Sequence, residues 1–387
     1  DHAIKSLPPK SVGLIKAVDC LAAEDIIAPI NVPDFPNSAM DGIALKVADL
    51  KGSGPWRLPI QSVVAAGDAI EIKLEAGHAC KIMTGAPLMP GADTVIKIED
   101  VTVEDNQVLI TQKPTEGDFV RPRGNDFTQG QILFRRGDRF RPADMGVMAS
   151  VGMTEVKVIP RPRVALISTG PELVEPGEKL GYAQIYNSNS VTLASLLTYD
   201  RNPPSTQLRI TSNEPETFRD IIGRAISEHD LVLTTGGVSM GDYDCIPEVA
   251  GELGGKVLFH KVKIKPGKPM LIVGFKNSWL VSLPGNPVSA AVGYYLYVRR
   301  IISQLRGLEY KSKTLRAELG TDLPISGNRF AVFGARLEMR DNRPIAYPSL
   351  RQGSGRLSSI SGMDALIMVE GGKRIVPKGE VVRVEVL

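Results

Sequence analysis

The spacing of hydrophobic and polar positions changes near residue 160. Before that point, short apolar runs bounded by Gly, Pro and Asp, best seen over residues 63–110, predict the strands of a mostly β unit. One helix is expected around residues 11–21. Another is expected over residues 141–151, where Pro142 stands in the first turn and a glycine follows. The β unit should therefore be inserted between two parts of one supporting region.

After residue 160 the pattern alternates between strands and helices. Strands are predicted at "RVALISTG", "TQLRIT", "DLVLTTGG" and "KVLFHKVKI", and helices at "NSNSVTLASLL", "NEPETFRDIIGRAISEH" and residues 246–253. In "NPVSAAVGYYLYVRRIISQL", Val288, Ala291, Val292 and Tyr295 have the i, i+3, i+4, i+7 spacing of one buried helix face. This alternation predicts a mainly parallel sheet covered on both faces. Strand-like runs return from about residue 308.

The expected fold class is α/β plus β in a multidomain chain, because 387 residues exceed what one core usually holds. The predicted regions are a supporting region (1–30 and 131–160), an inserted mostly-β domain (31–130), a central doubly wound, mainly parallel α/β domain (161–307) and a small C-terminal domain resembling a β-barrel (308–387).

Composition excludes several classes of protein. Hydrophobic residues make up 43% and charged residues 23%, which are ordinary globular values and exclude disordered or collagen-like chains. A net charge of +3 does not suggest a nucleic-acid-binding surface, and no apolar run approaches the length of a membrane span. The three cysteines offer no disulfide framework or paired zinc spacing, which favours a reducing, cytoplasmic location. With four histidines, chemistry based on a histidine cluster is not expected.

Three predicted strand ends carry small and polar residues, namely "STGPEL" (168–173), "TTGGVSMGDYD" (234–244) and "SLPGNPVSA" (282–290). Ligands of open α/β sheets bind beyond the carboxyl ends of the strands. Glycines there let backbone N–H groups approach an anion. A single loop of this kind could equally be an ordinary turn, but three in one sheet favour an anion-binding site.

Charged residues near these loops have two interpretations each. Asp242 and Asp244 could hold Mg²⁺ on phosphates, or Asp242 could cap a helix. Glu172 could bind the same ion or simply favour a helix N-terminus. Lys265 and Lys268 flank a Pro-Gly turn that could bind an oxyanion, although a solvated basic turn is the commoner reason for such a pattern.

In the N-terminal half, "PDFPNSAMDGIAL" (33–45), "IMTGAPLMPGADTV" (82–95) and "RPRGNDF" (121–127) are constrained loops. Such loops hold side chains in place, but rigid turns of a β unit would explain them as well.

Together with "IKPGKPM" (264–270) and "QGSGRLSS" (352–359), these stretches resemble the MoeA-type molybdopterin molybdenumtransferases, which are related to the E domains of gephyrin and its plant counterpart. The pieces occur in family order over nearly the whole chain. The resemblance implies an enzyme that takes adenylylated molybdopterin and molybdate, cleaves the adenylyl phosphoanhydride with Mg²⁺ and releases AMP. It also implies a homodimer with active sites shared between subunits, and contacts with the adenylyltransferase and with chaperones of molybdoenzymes.

The resemblance also assigns roles to individual residues. The catalytic positions are Asp41, Thr84, Asp126, Glu172, Lys261, Lys265 and Lys268. The substrate-binding positions are Thr235, Gly236, Gly237, Ser239, Pro284, Asn286, Pro287, Arg336 and Ser354. Asp244, with Asp242 as the alternative, is the expected Mg²⁺ ligand.

Two departures from the family pattern leave room for other functions. Pro171 and Asn213 stand where the family often has an acid, which could mark an altered paralogue. The central domain is shared with enzymes that adenylylate molybdopterin, so adenylylation is one alternative. A gephyrin-like, non-enzymatic scaffold is the other.

Overall fold

The computed structural model describes residues 4–69, 72–212, 214–237, 245–349 and 353–387. The chain divides into two compact units. The N-terminal unit is Lys10–Val158, and the C-terminal unit combines Asp1–Pro9 with Ile159–Leu387. The finer division into four regions stays a prediction. Among the described residues, no helix has the length and apolar character needed to cross a membrane.

The N-terminal unit is mainly β. Its strands are β1 (Lys10–Gly13), β2 (Leu21–Ala22), β3 (Ile26–Ile27), β4 (Asn37–Ser38), β5 (Gly42–Leu45), β6 (Trp56–Val64), β7 (Ala79–Ile82), β8 (Thr94–Lys97), β9 (Thr102–Glu104), β10 (Gln107–Ile110), β11 (Val120–Arg121), β12 (Ile132–Phe134) and β13 (Glu155–Ile159). Its helices are α1 (Leu14–Ala17) and α2 (Pro142–Ser150), with short 3₁₀ turns at Val47–Asp49 and Ile98–Asp100.

The helix predicted over residues 11–21 is wrong for most of its length. Only the four residues of α1 are helical, because β1 pairs with β13 before it and Asp19 adopts a positive φ of 69° after it. In contrast, α2 confirms the second predicted helix, and Pro142 occupies its first turn. Both helices pack in one core with residues that include Phe140, Met148 and Val158.

The larger sheet of this unit has the strand order β8-β5-β7-β6-β10-β9. One apolar cluster includes Ile43, Leu58 and Ile110, and a second includes Ala44, Ile82 and Val95. Residues 43 and 44 alternate between these clusters, as neighbouring residues of a strand buried on both faces must. This arrangement fixes β5, whose first residue follows Asp41.

The C-terminal unit contains the remaining strands and helices. The strands are β14 (Val164–Thr169), β15 (Leu173–Val174), β16 (Ile185–Tyr186), β17 (Thr206–Ile210), β18 (Leu231–Thr235), β19 (Lys256–His260), β20 (Ile264–Lys265), β21 (Leu271–Gly274), β22 (Trp279–Leu283), β23 (Thr314–Leu319), β24 (Leu323–Ile325), β25 (Phe330–Arg340), β26 (Arg343–Pro348), β27 (Ala365–Val369), β28 (Arg374–Val376) and β29 (Val381–Val386). The helices are α3 (Ser188–Tyr199), α4 (Pro215–Glu228), α5 (Ile246–Glu252), α6 (Pro287–Gly293) and α7 (Arg299–Leu305), with a π-helical turn at Tyr294–Val298 and a 3₁₀ turn at Leu357–Ser359.

A six-stranded sheet of order β17-β14-β18-β22-β21-β19 forms the centre of this unit. The first four strands are parallel, and β21 is antiparallel to both of its neighbours. Helices α3, α6 and α7 contribute to the apolar cluster on one face, while α4 and α5 contribute to the cluster on the other. The predicted doubly wound α/β sheet is confirmed, and the β21–β22 hairpin is an addition that the alternating pattern did not reveal.

The last strands close into a barrel in the order β25-β26-β23-β29-β27, and β27 pairs back onto β25. Its interior is filled by small and branched side chains, including Ala317, Ala346 and Ile367. The predicted barrel-like C-terminal domain is therefore confirmed.

Two glycine-to-alanine substitutions in the N-terminal unit should change stability in opposite directions. A Cβ added at Gly42 would stand 2.0 Å from the carbonyl oxygen of Ile96 on β8, so Gly42→Ala must displace backbone. Gly146, inside α2, has open space around its Cα. We expect Gly42→Ala to destabilise the unit by about 1–3 kcal/mol and Gly146→Ala to stabilise it by about 0.5–1 kcal/mol.

Calorimetric unfolding of the two variants beside the unchanged chain would measure both effects. A Gly42→Ala variant as stable as the unchanged chain would contradict the β5–β8 register.

Candidate functional site

A cavity of about 720 Å³ lies at the carboxyl ends of the parallel strands β14, β18 and β22. We call it the glycine pocket. Its walls combine the ends of these strands with the N-terminal residues of α3 and α6. Its lining includes Thr169, Gly170, Glu172, Asn189, Thr235, Gly236, Gly237, Gly285, Asn286 and Pro287. The sequence prediction placed a ligand at this edge of the sheet.

Backbone packing at the end of β18 requires glycine. Gly236 has a φ of +87°, and a Cβ there would stand 2.7 Å from Thr169 Oγ1 and 2.9 Å from the Thr169 carbonyl oxygen. Thr169 Oγ1 itself donates to the Thr235 carbonyl, at 3.0 Å. The neighbouring loop is also fixed, because Asn189 Nδ2 donates to the Gly285 carbonyl at 2.6 Å. The predicted residues Thr235, Gly236, Gly237, Asn286 and Pro287 therefore line one cavity.

Glu172 is the carboxylate of this pocket among the described residues. It is exposed, and its oxygens lie over Gly170, where an added Cβ would meet Oε2 at 2.4 Å. The described part of the chain contains no group of three or more His, Cys, Asp or Glu side chains that could hold a metal ion. Mg²⁺ does not need such a group, since it binds one or two carboxylates together with phosphate oxygens and water. Glu172 fits that requirement.

Several predicted site residues are not in this cavity. Ser239, Asp242 and Asp244 lie outside the described residues, as does Asn213. Pro284 is buried at the end of β22 and is not part of the lining. Pro171, where the family often has an acid, does line the cavity.

A second cavity, of about 560 Å³, is lined by Lys265, Lys268 and Arg329. We call it the lysine pocket. Its other walls are the Pro266-Gly267 turn, the start of α6 and the beginning of β25. Asn286 and Ser354 also line it. Three cationic side chains on one concave surface are suited to an oxyanion.

Hydrogen bonds tie residues 261–270, which we call the lysine loop, to the barrel. The short strand β20, which contains Lys265, pairs in parallel with the start of β25. Lys265 Nζ donates to Ser326 Oγ at 3.0 Å, and Arg329 Nη1 donates to the Ile264 carbonyl at 3.2 Å. At the other end of the loop, the Lys261 N–H donates to the Met270 carbonyl. Lys261 is exposed, has a φ of +66° and is not part of the cavity lining.

The two cavities share Asn286 as a lining residue. Next to it, the Val288 N–H donates to the Ser354 carbonyl at 3.1 Å, so the segment around Ser354 is held against the start of α6. Arg336 lies elsewhere: it is exposed on β25 and lines a separate depression of about 320 Å³ that shares Gly334, Ser349 and Ser359 with the lysine pocket. The sequence prediction names Arg336 and does not name Arg329, which lines the lysine pocket; the role of Arg336 stays a prediction.

In the N-terminal unit, Asp41 and Thr84 are in direct contact. Asp41 Oδ1 accepts hydrogen bonds from the Thr84 N–H and from Thr84 Oγ1, both at 2.7 Å. These bonds, the side-chain bond first, lower the pKa of Asp41, so that its carboxylate stays ionised. Asp126 is exposed, and its N–H donates to the Val32 carbonyl. Among the hydrogen bonds of these described residues, none joins Asp126 to the Asp41–Thr84 pair.

Phe119, close to this pair, has an unusual backbone conformation. Its φ is +52°, in the left-handed region, where a bulky side chain costs about 1–2 kcal/mol. Nevertheless 39% of the residue is exposed, and the Lys97 ammonium lies 4.9 Å from the ring centroid. The sequence offered no sign of this feature, because a single Phe in a loop is unremarkable.

Comparison with known proteins identifies the family. Three family models match in order: the MoeA N-terminal region (domain I and II) over residues 1–152, a probable molybdopterin binding domain over 165–304, and the MoeA C-terminal region (domain IV) over 316–387. A molybdopterin molybdenumtransferase of Staphylococcus aureus is 32% identical over 95% of this chain and 89% of its own length. The chain belongs to the MoeA family of molybdopterin molybdenumtransferases.

Other MoeA relatives agree with this assignment. The molybdopterin molybdenumtransferase of Haemophilus influenzae is 38% identical, over 76% of this chain and 72% of its own length. A solved structure of the molybdopterin biosynthesis MoeA protein from Pyrococcus horikoshii covers 99% of this chain and 95% of its own, at 30% identity and a TM-score of 0.78. The family resemblance, the multidomain fold and the enzyme class, a transferase, are thus confirmed. The roles of individual site residues stay predictions.

We expect the Thr84 hydroxyl to control the ionisation of Asp41. Thr84→Val removes the side-chain bond but keeps the N–H bond, so the pKa of Asp41 should rise toward its ordinary value of 3.8. Because the folded pKa is lowered, the stabilising contribution of this bond is present above that ordinary value and is lost as the pH falls through the folded pKa.

Titration of the Asp41 carboxyl carbon by NMR would measure the shift. Thr84→Ser retains the hydroxyl and is the matched control, with an expected pKa equal to that of the unchanged chain. If Thr84→Val left the Asp41 pKa where it was, the hydroxyl would have no such role.

Proposed function

We propose that this enzyme inserts molybdenum from molybdate into molybdopterin, and that it binds the pterin in its adenylylated form and releases AMP. The observation that supports this function best is the pair of cavities that share Asn286. One offers glycine backbone at the carboxyl ends of parallel strands, and the other offers three cationic side chains. A substrate that contains a phosphoanhydride matches the first surface, and a separate small oxyanion matches the second.

The glycine pocket is proposed to bind the phosphates of the adenylylated pterin. At Gly236 and Gly237 the backbone carries no Cβ, so a phosphate can approach the main chain closely. The Gly236 N–H itself donates to the Leu283 carbonyl at 3.0 Å and holds this segment beside β22. Ser188 and Asn189, at the start of the twelve-residue helix α3, line the same cavity. The positive end of a helix dipole favours an anion at that position.

The lysine pocket is proposed to bind molybdate. Its lining includes Lys265, Lys268 and Arg329, together with Ser289 and Ser354. Molybdate is a tetrahedral dianion with four acceptor oxygens, so ammonium, guanidinium and hydroxyl donors suit it. Arg329 takes the role that the sequence assigned to Arg336.

Mg²⁺, when bound, would neutralise charge on the phosphates of the anhydride that is cleaved. Asp242 and Asp244, together with Glu172 of the glycine pocket, are the residues proposed to hold it. The protein's own contribution is to fix both substrates, with backbone donors and the α3 dipole at the AMP phosphate and cationic side chains at the molybdate.

We further propose that the enzyme is a cytoplasmic homodimer. Asp41, Thr84 and Asp126 of one copy would then complete the site of the other, as the family resemblance implies. Lys261 would support the lysine loop in the same assembly. Contacts with the adenylyltransferase that supplies the substrate, and with chaperones of molybdoenzymes, are the further partners that the family resemblance implies.

An assay with purified components tests the activity. The enzyme is incubated with adenylylated molybdopterin, Mg²⁺ and molybdate, and AMP release and activation of an apo-molybdoenzyme are followed. We expect both, each requiring Mg²⁺ and molybdate. Formation of adenylylated pterin from ATP and molybdopterin would favour the adenylyltransferase alternative, and no turnover in either direction would favour a scaffold.

The two arginines offer a sharper test of the molybdate site. Arg329→Gln removes one of three cations from the lysine pocket, whereas Arg336→Gln changes the neighbouring depression. We expect Arg329→Gln to raise the KM for molybdate about tenfold or more, since charged hydrogen bonds contribute about 1.5–3 kcal/mol, and Arg336→Gln to raise it less than threefold.

Steady-state kinetics with molybdate as the varied substrate would show the difference. A larger effect of Arg336→Gln than of Arg329→Gln would place the anion in the other depression.

A further inference from the structure

Phe119 stands at a position where the backbone favours other residues. Most other left-handed positions of the N-terminal unit are occupied by Gly, Asp or Asn, for example Gly117, Asp105 and Asn106. These residues adopt positive φ values with little strain, while a phenylalanine does not. The strain at Phe119 therefore calls for a compensating role of the ring, because residues in sparsely populated conformations are concentrated at functional sites.

Packing does not supply that role. With 39% of the residue exposed, Phe119 is one of the exposed large hydrophobic residues rather than part of a core. The contact with the Lys97 ammonium is at the surface, where such contacts are weak.

The position of Phe119 is close to that of the Asp41–Thr84 pair. The Ala39 N–H donates to the Phe119 carbonyl at 2.8 Å, and β11, which begins at the next residue, pairs with β4. On the other side, Lys97 stands opposite Gly42 on β5, and the Ile98 N–H donates to the Asp41 carbonyl at 3.0 Å. The backbone of Phe119, directly before β11, and that of Lys97, at the end of β8, are therefore held beside the segment that contains Asp41.

We propose that Phe119 and Lys97 form a binding surface for a planar heteroaromatic group that carries negative charge. The exposed ring provides a stacking surface, and the ammonium provides attraction for the anionic part of the ligand. This inference rests on the proposed function, whose substrate contains two such groups, the pterin and the adenine of the adenylyl moiety, next to phosphates. Phe119 and Lys97 would then be specificity-determining residues beside Asp41.

A substitution that relieves the strain at Phe119 gives a test in which the affinity for the ligand should fall while the stability of the fold should not. Phe119→Asn places a residue suited to positive φ at this position, so its Tm should equal or exceed that of the unchanged chain. At the same time it removes the ring. Pterin-6-carboxylate, followed by its fluorescence, and AMP serve as probes for the two candidate groups.

We expect the unchanged chain to bind at least one probe and Phe119→Asn to bind it at least fivefold more weakly. Phe119→Tyr, which keeps an aromatic ring, should stay within twofold of the unchanged chain. Lys97→Met, which keeps the side-chain length without the charge, should weaken binding at least threefold. The probe that loses affinity identifies the group that stacks on Phe119.

Val103→Asn is the matched control. Val103 is 40% exposed on β9, and β9 and β8 are the two opposite edge strands of the same sheet. We expect its substitution to leave the affinity for the probes within twofold. Three results would overturn the inference: no binding of either probe to the unchanged chain, full affinity of Phe119→Asn, or a lower Tm of Phe119→Asn. The assay of AMP release separates this failure from failure of the proposed function, because an unchanged chain that releases AMP keeps that function even when Phe119 proves irrelevant.

Discussion

The attachment of the C-terminal barrel to the lysine loop is the constraint on which the lysine pocket depends. Pairing of β20 with β25 joins them through the backbone, and Ile264, Val288, Val292, Val332 and Leu366 form one apolar cluster around this junction. Each such side chain contributes about 1.5–3 kcal/mol when buried. The apolar contacts therefore offset the repulsion of three cationic side chains placed in one cavity. Without the barrel, Lys265 would lose its partner Ser326 and the pocket would lose Arg329.

In the proposed function, the two cavities divide the binding of anions between two kinds of donor. Glycine backbone at the strand ends carries no net charge and can surround a phosphate at short range, whereas lysine and arginine supply the charge for a small oxyanion. Asn286, at the start of α6, belongs to both linings. This division explains why the chain needs neither a histidine base nor a cysteine nucleophile for the proposed chemistry, since positioning and charge neutralisation suffice.

The local signals in the sequence identified the parts of the site that lie on one strand end. Gly236 and Gly237 directly follow a buried run, and two further strand ends carry small and polar residues, which together favour a binding site over an ordinary turn. Arg329 could not be found this way, because it reaches the lysine pocket only through the pairing of β20 with β25. Arg329 and its hydrogen-bond partner Ile264 are 65 residues apart in the sequence. The helix predicted over residues 11–21 is mostly absent for a similar reason, since the pairing of β1 with the distant β13 outweighs the local preference for helix. Phe119 could not be identified from the sequence, because its strain arises from a positive φ that the residue type does not predict.

Molybdate located in crystals of the full chain, by anomalous scattering at the molybdenum absorption edge, would test the central claim most directly. The account predicts one strong peak in the lysine pocket, within hydrogen-bonding distance of Lys265, Lys268 and Arg329, and loss of that peak in Arg329→Gln crystals. A peak in the depression beside Arg336, with the lysine pocket empty at saturating molybdate, would contradict it.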